Sequence, residues 1–176
     1  MSNLSDDVEF IPLNIAVMVV SDSRDEADDK SGGVLAKLLT EAGHSLAEKK
    51  IVPDDIYQIR ALASNWIIDP NIHAVITTGG TGLTGRDVTP EAIKVLYDKE
   101  IEGFGEIFRK LSYDLIQTST IQSRAIAGVA NATVLFSLPG SPGACKDGWN
   151  LIIQHQLDVR HQPCNLVQMM PRFKEK

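Results

Sequence analysis

Two rhythms of hydrophobic and polar positions follow one another along the chain. Residues 15–20, Ile-Ala-Val-Met-Val-Val, form a short unbroken apolar run rich in branched side chains, the pattern of a strand covered on both faces. A polar stretch over 21–30 follows. Val34, Leu35, Leu38 and Leu39 then recur at helical spacing, with Gly43 placed as a stop. Residues 45–52 predict a second strand, edge-like because it carries Glu48, Lys49 and Lys50. A helix is expected over 54–63, with Ile56, Ile59, Leu62 and Ala63 on one face, and a third strand over 74–78 runs straight into a glycine-rich loop.

Beyond that loop, Pro90 holds a first-turn position after Thr89 as N-cap, which predicts a helix to about Tyr97. An amphipathic helix is expected over 105–117 and a polar connection over 118–124. Residues 128–130 and 133–137 read as two strands joined at Asn131, and a further helix as covering 144 to about 157. The final segment, 159–176, carries Pro163 and Pro171 and reads as irregular. Alternation of this kind argues for an α/β protein with a mostly parallel sheet and helices on both faces. The expected organisation is an N-terminal arm over 1–11, one domain over 12–157 and a C-terminal tail over 158–176.

Composition narrows the function classes. The chain has 176 residues, enough for one domain with a proper core. Its 17 basic and 23 acidic residues leave a formal charge of −6, which offers no general attraction to a phosphodiester backbone. No nucleic acid is expected as a partner, although a local pocket for one small phosphate is compatible with that charge. Cys145 and Cys164 stand alone, without a C-x-x-C or a paired framework. Residues 1–10 lack the cationic start and apolar centre of a signal peptide, and the longest apolar runs are too short to cross a bilayer. The expectation is a cytoplasmic protein without membrane contact.

In open α/β sheets ligands sit beyond the carboxyl ends of the strands, so the residues that follow each strand carry the chemistry. They are Ser21-Asp22-Ser23, Pro53-Asp54-Asp55, Thr78-Gly79-Gly80-Thr81-Gly82 with Arg86-Asp87, and Leu138-Pro139-Gly140-Ser141-Pro142. The glycines allow positive φ and close approach, so successive amides can form an anion-binding nest. Thr78 and Thr81 can add hydroxyl donors. The loop lacks the G-K-[ST] ending of a Walker A motif. Arg86 suits a planar phosphate clamp, and Asp87 a magnesium ion on a nucleotide; a surface Arg–Asp pair is the plainer alternative. Ser141 opens a helix, where it is either part of a phosphate site or simply an N-cap. Asp54 serves equally well as an N-cap and Asp22 as a turn former. Among the remaining residues, His44, His73, His155 and His161 share no metal spacing, Cys145 has no sequence-adjacent base, and Trp66 and Trp149 read as packing residues.

The stretch Thr77-Thr-Gly-Gly-Thr-Gly-Leu-Thr-Gly-Arg-Asp-Val-Thr-Pro-Glu91 resembles the MoaB/MogA family of molybdenum cofactor biosynthesis. Further matches are Ser21-Asp22, Pro53-Asp54, Gly103-Phe-Gly-Glu106 with Arg109, Ser123-Arg124, and Leu138 to Pro142, together spanning roughly 12–157. The resemblance implies a doubly wound molybdopterin-binding fold with a small subdomain, assembled as a homo-oligomer, either trimer or hexamer. It implies molybdopterin as substrate or ligand, ATP or GTP as cosubstrate or ligand, and magnesium-dependent transfer of AMP to the terminal phosphate of molybdopterin. By position, Asp54 and Asp87 match the two functional aspartates and would hold the magnesium. Gly79 to Gly82 and Ser141 match substrate and nucleotide contacts, with Ser21, Asp22, Thr78, Arg86, Pro139 and Gly140 beside them. One departure is Gly143, where adenylylating members usually carry a larger polar or basic residue. That departure keeps a second expectation open: a molybdopterin- or nucleotide-binding paralogue with weak or no transferase activity.

Overall fold

The computed structural model describes residues 4–5 and 7–175. Six strands form one sheet: β1 (Asn14–Val20), β2 (Ser45–Val52), β3 (Ala74–Thr78), β4 (Lys99–Glu100), β5 (Ile126–Ala130) and β6 (Thr133–Leu138), in the order β2-β1-β3-β6-β5-β4. The neighbours β2-β1, β1-β3 and β3-β6 are parallel, whereas β5 pairs antiparallel with both β6 and β4. The fold is therefore the expected doubly wound, mostly parallel α/β sheet. Because β2, β1, β3 and β6 all run the same way, their carboxyl ends meet along one edge of the sheet. Between β3 and β5 the chain contributes to the sheet only the two-residue edge strand β4.

The unbroken apolar run of β1 follows from its central place. Successive side chains point to opposite faces, and both faces are covered. Ile15, Val17 and Val19 join Leu35, Leu39, Phe104, Phe108, Trp149 and Ile153 in one core. Ala16, Met18 and Val20 join Ile59, Ala63, Trp66 and Ile93 in the other. The first core is built on α1 (Lys30–Glu41), on α4 (Glu102–Ile116) and on the helical run 142–156, which comprises α5 (Pro142–Gly148), a π-helical turn and α6 (Gln154–Gln156). The second is built on α2 (Ile56–Ile68) and α3 (Thr89–Ile93). No helix of the described residues is long and apolar enough to cross a membrane.

Several local expectations are corrected. Asp55, not Asp54, caps α2, accepting from the amides of Tyr57 at 3.0 Å and Gln58 at 2.9 Å. The helix continues to Ile68 because Trp66 and Ile67 extend its buried face. Thr89 is not an N-cap: it is the first residue of α3, and its hydroxyl donates to the Gly79 carbonyl at 2.8 Å. That helix ends at Ile93 and tightens through Lys94–Leu96. Within the polar stretch 21–30, Asp29 is buried, caps α1 through the Gly32 amide at 2.8 Å and pairs with Lys49 at 2.8 Å. Strand β4 was not expected; two exposed charged residues carry no strand pattern. Past residue 157 the chain forms α7 (Leu166–Met169), and Val159 and Val167 pack into the first core.

Gly79 shows how tightly the strand ends are drawn together. Its φ is +103°, and a Cβ placed there would lie 2.1 Å from the Val20 carbonyl oxygen. The clash is with backbone, which cannot swing aside as a side chain can. Gly79→Ala is expected to lose about 3 kcal/mol or more of folding stability, read as a lower urea midpoint at unchanged slope. A loss below about 1 kcal/mol would show that the strand ends can separate without cost to the fold.

Candidate functional site

The loops after the four parallel strands are tied to one another by specific bonds. Ser21, at the end of β1, uses its hydroxyl to accept from the amides of Ser23 and Arg24, which shapes the turn. Asp22 accepts from the Asp54 amide at 3.0 Å and takes a two-pronged bond from Arg86, at 2.8 and 2.7 Å. One carboxylate thus joins the ends of β1 and β2 to the loop that follows β3. The Gly79 amide donates to the Leu138 carbonyl at 3.1 Å, and the Thr78 hydroxyl donates to the Pro139 carbonyl at 3.0 Å. These two bonds join the ends of β3 and β6.

Between these ties the glycine loop turns over. Gly80 has φ +62°, and a Cβ there would meet the Thr89 hydroxyl at 2.4 Å and the Asp54 carboxylate at 2.8 Å. Asp87 folds back beside Gly82, accepting from the Thr84 amide at 2.8 Å and the Thr84 hydroxyl at 2.6 Å. Arg124 braces the same loop by donating to the carbonyls of Gly82 and Asp87, each at 2.8 Å, while it pairs with Glu91. From the sequence, Arg124 stands out only as part of the Ser123-Arg124 match. Its bracing role depends on contacts more than thirty residues away, which spacing does not reveal.

A cavity of about 440 Å³ opens at this edge. Gly80, Thr81, Gly82 and Asp87 form one wall, and Pro139, Gly140, Ser141, Gly143 and Ala144 another. Phe108, Leu115 and Ile116 from α4 supply an apolar side, accompanied by Ser112, Ser119, Gln122 and Ser123. Four backbone amides on these walls, those of Gly80, Thr81, Gly140 and Gly143, donate to no acceptor among the described residues. Ser141 caps α5 by accepting from the Ala144 amide at 3.2 Å. Unpaired amides around a concave space are the donor arrangement that anions occupy.

Of the expected residues, Gly80, Thr81, Gly82, Asp87, Pro139, Gly140 and Ser141 line the cavity. Asp54 stands behind Gly80. Gly79 and Thr78 lie beneath the loop, with the Thr78 hydroxyl 3.1 Å from the Cys145 sulfur rather than facing the opening. Ser21, Asp22 and Arg86 form the neighbouring brace. Arg86 is 65% exposed and held by Asp22. An exposed pair of this kind is weak, so phosphate oxygens can compete for the guanidinium. Among the described residues no Lys or Arg lines the cavity, and Lys146 is outside its wall; its charged members are Asp87 and Asp147. The α4 residues were missed because helical periodicity marks Phe108, Leu115 and Ile116 as core. Only the serine at position 112 within that stripe hinted at another use.

The carboxylates are pushed in opposite directions. Arg86 holds Asp22 below the ordinary aspartate range, with the Asp54 amide assisting. The Thr84 hydroxyl does the same for Asp87, against a smaller opposing effect of burial. Asp54 moves upward, first through burial and then through the charges of Asp22 and Asp87. Its position is the one where a cation would be most welcome. Burial raises the Cys145 thiol to about 11, which removes it as a nucleophile.

A doubly wound sheet whose strand ends surround a cavity with unpaired amides and clustered aspartates defines an α/β domain with its candidate ligand site at the carboxyl ends of the parallel strands. Residues 16–159 match the family described as a probable molybdopterin binding domain. The chain is 52% identical over 165 residues to molybdenum cofactor biosynthesis protein B of Escherichia coli K12, covering 94% of this chain and 96% of that one. It is 46% identical over 142 residues to the Bacillus subtilis protein of the same name, covering 80% and 84%. A crystal structure of molybdenum cofactor biosynthesis protein B superposes with a TM-score of 0.84 at 38% identity, over 94% of this chain and 98% of that one. The tungsten cofactor synthesizing protein MoaB from Pyrococcus furiosus superposes at 0.71 and 40% identity, over 80% and 90%. The chain belongs to the MoaB/MogA family of molybdopterin-binding proteins, and its role lies in molybdenum cofactor biosynthesis.

Two outcomes follow from the electrostatics. Because the Asp54 pKa is higher folded than unfolded, the native state binds its proton more tightly, and ionisation of this group opposes folding. Asp54→Asn is therefore expected to raise the urea midpoint at neutral pH. That advantage should shrink as pH falls through the raised native pKa and vanish below the ordinary value of 3.8. An unchanged or lower midpoint at pH 7 would contradict the sign. In thiol labelling, exposed Cys164 should react at neutral pH, whereas buried Cys145 should react only after unfolding. Two fast equivalents from the native chain would show the Thr78–Cys145 packing to be open.

Proposed function

We propose that this protein binds molybdopterin by its terminal phosphate together with a magnesium-bound purine nucleotide, and transfers AMP from ATP to that phosphate. The observation that carries the reading is the set of four unpaired amides, on two loops, around one cavity flanked by Asp54 and Asp87. A phosphate oxygen of molybdopterin would attack the α-phosphorus of ATP. The bond from that phosphorus to the bridging oxygen breaks, and pyrophosphate leaves with the electron pair. The attacking group is already an anion, so no general base or covalent nucleophile is required. Catalysis reduces to positioning and charge neutralisation.

The residues fit magnesium in a restricted way. Among the described residues no cluster of three or more His, Cys, Asp or Glu side chains can hold an ion. Magnesium on a nucleotide needs only one or two carboxylates, with water and phosphate oxygens completing its shell, and the mutually repelling Asp54 and Asp87 answer that need. Bound there, the ion would neutralise charge on the transferring phosphoryl group. The amides of Gly80, Thr81, Gly140 and Gly143 would orient the phosphates. Arg86 would exchange part of its hold on Asp22 for a phosphate oxygen, and Ser21 and Asp22 would keep the brace in register.

A second reading, binding with weak or no transfer, is favoured by one specific feature. The cavity wall carries no cation among the described residues, and Gly143, where the family resemblance leads one to expect a larger polar or basic residue in adenylylating members, faces open space with no atom within 4 Å of a Cβ. Assembly into a homo-oligomer in the cytoplasm is part of the same proposal, since a neighbouring subunit could supply the missing cation.

Single-turnover transfer to purified molybdopterin, with magnesium and either ATP or GTP, separates the readings. Rapid formation of a nucleotidylated pterin, reduced at least roughly 100-fold by Asp87→Asn, is the expected result. Saturable binding without product would establish the binding paralogue instead. Gly143→Lys is then the diagnostic variant: the open space admits the side chain, and it should increase either the transfer rate or the affinity for molybdopterin. No gain in either would mean that the absent cation is not what limits the site.

A further inference from the structure

The anion-binding walls of the cavity leave one of its charged members unexplained. Asp147 lies on α5 and contributes to the same cavity. Asp87, the other carboxylate of the wall, is held by the amide and hydroxyl of Thr84. Asp147 has no hydrogen-bonding or ion-pair partner among the described residues, and it is partly buried. A carboxylate with free acceptor oxygens in a cavity that takes an anion is repulsive unless the ligand brings donors to it. Molybdopterin brings them at one place. The pyrimidine edge of a pterin carries a ring N–H and an adjacent 2-amino group, two parallel donors that match the two oxygens of a carboxylate.

We infer that Asp147 recognises the 2-amino-4-oxo pyrimidine edge of the pterin ring and thereby sets which ring system the cavity accepts. The inference rests on the reading that this site takes molybdopterin. The helix itself provides the ruler. Ser141 caps α5, Gly143 with its unpaired amide lies in the first turn, and Asp147 lies six residues beyond Ser141, about 9 Å along the axis at 1.5 Å per residue. That separation suits a tricyclic pyranopterin whose phosphate is held at the start of the helix and whose pyrimidine edge points away from it. On the same cavity, Phe108, Leu115 and Ile116 present the apolar surface that a flat ring needs. Ser123, whose hydroxyl is buried without a partner, adds a further polar contact on the same wall. An adenine base has no such pair of adjacent donors, so the carboxylate also tells a pterin from an adenine, though not from a guanine, which carries the same pair.

Direct fluorescence titration with 6-hydroxymethylpterin and with 6-hydroxymethyllumazine, in which an oxo group replaces the 2-amino group, tests the inference. The wild-type chain is expected to favour the pterin by roughly tenfold or more. Asp147→Asn should abolish that preference, because its amide donates where the carboxylate only accepts. Asp147→Ala should weaken the pterin without strengthening the lumazine, and thermal midpoints within a few degrees of wild type would show both variants folded. Equal affinities in the wild type, failure of both rings to bind, or a preference that survives Asp147→Asn would overturn the inference. Molybdopterin itself is titrated alongside. If it binds while the ring preference survives in the variant, the proposed function stands and the role of Asp147 falls. If the preference depends on Asp147 but molybdopterin does not bind, edge recognition stands and the proposed function falls.

Discussion

Parallel strands deliver their carboxyl ends to one edge, but they do not by themselves bring the loops that follow close enough to share a ligand. Here that proximity depends on the backbone at Gly79. Its amide donates to Leu138 at the end of β6, and its Cα lies against Val20 at the end of β1 and against Gly140. A side chain at this point would force three loops apart. With only hydrogen there, the chain turns at positive φ immediately after β3. The amides of Gly80 and Thr81 then face the same space as those of Gly140 and Gly143. The cavity is thus a consequence of one close backbone approach.

The second layer of organisation is electrostatic, and it separates carboxylates by task. Asp22 is neutralised by Arg86 and serves as a brace between loops. Asp87 is stabilised by Thr84 and Gly82 and holds the loop that carries it. Asp54 has no comparable partner, because Asp55 took the capping role at α2, and its charge is opposed by burial and by both neighbours. A protein gains nothing in stability from such an arrangement. Under the proposed function, its physical sense lies in what a bound cation would relieve.

How much of this was legible in the sequence differs by residue type. The strands β1 and β3, and the helix α1, announced themselves through continuous or periodic apolar residues, and the sheet class followed. The strand-end residues were found because topology alone says where ligands sit in such sheets. What sequence could not show was the distribution of partners. Nothing in Asp54-Asp55 says which carboxylate caps the helix; the difference depends on φ and ψ at one residue. Nothing in Arg86 says that Asp22, sixty-four residues earlier, occupies its fork. The apolar wall on α4 was hidden for a different reason: helical spacing reports that Phe108, Leu115 and Ile116 share a face, but not that part of this face borders a cavity instead of the core.

The absence of a cation from the cavity wall, among the described residues, bears on how a site of this kind can handle several phosphates. Backbone amides stabilise an anion through fixed dipoles that need no reorganisation when charge moves during a reaction. They carry no net charge, however, so they cannot offset two polyanions brought together beside Asp54 and Asp87. Under the proposed function, the compensating charge would have to arrive with the nucleotide as magnesium, from Arg86 released by Asp22, or from a neighbouring subunit. Each route makes binding depend on a second component, and affinity for molybdopterin alone would then be lower than for molybdopterin with its nucleotide. A lysine built into the cavity wall would remove that dependence. On the same proposal, the glycine at 143 would leave it in place and so tie occupancy of the two halves of the cavity to one another.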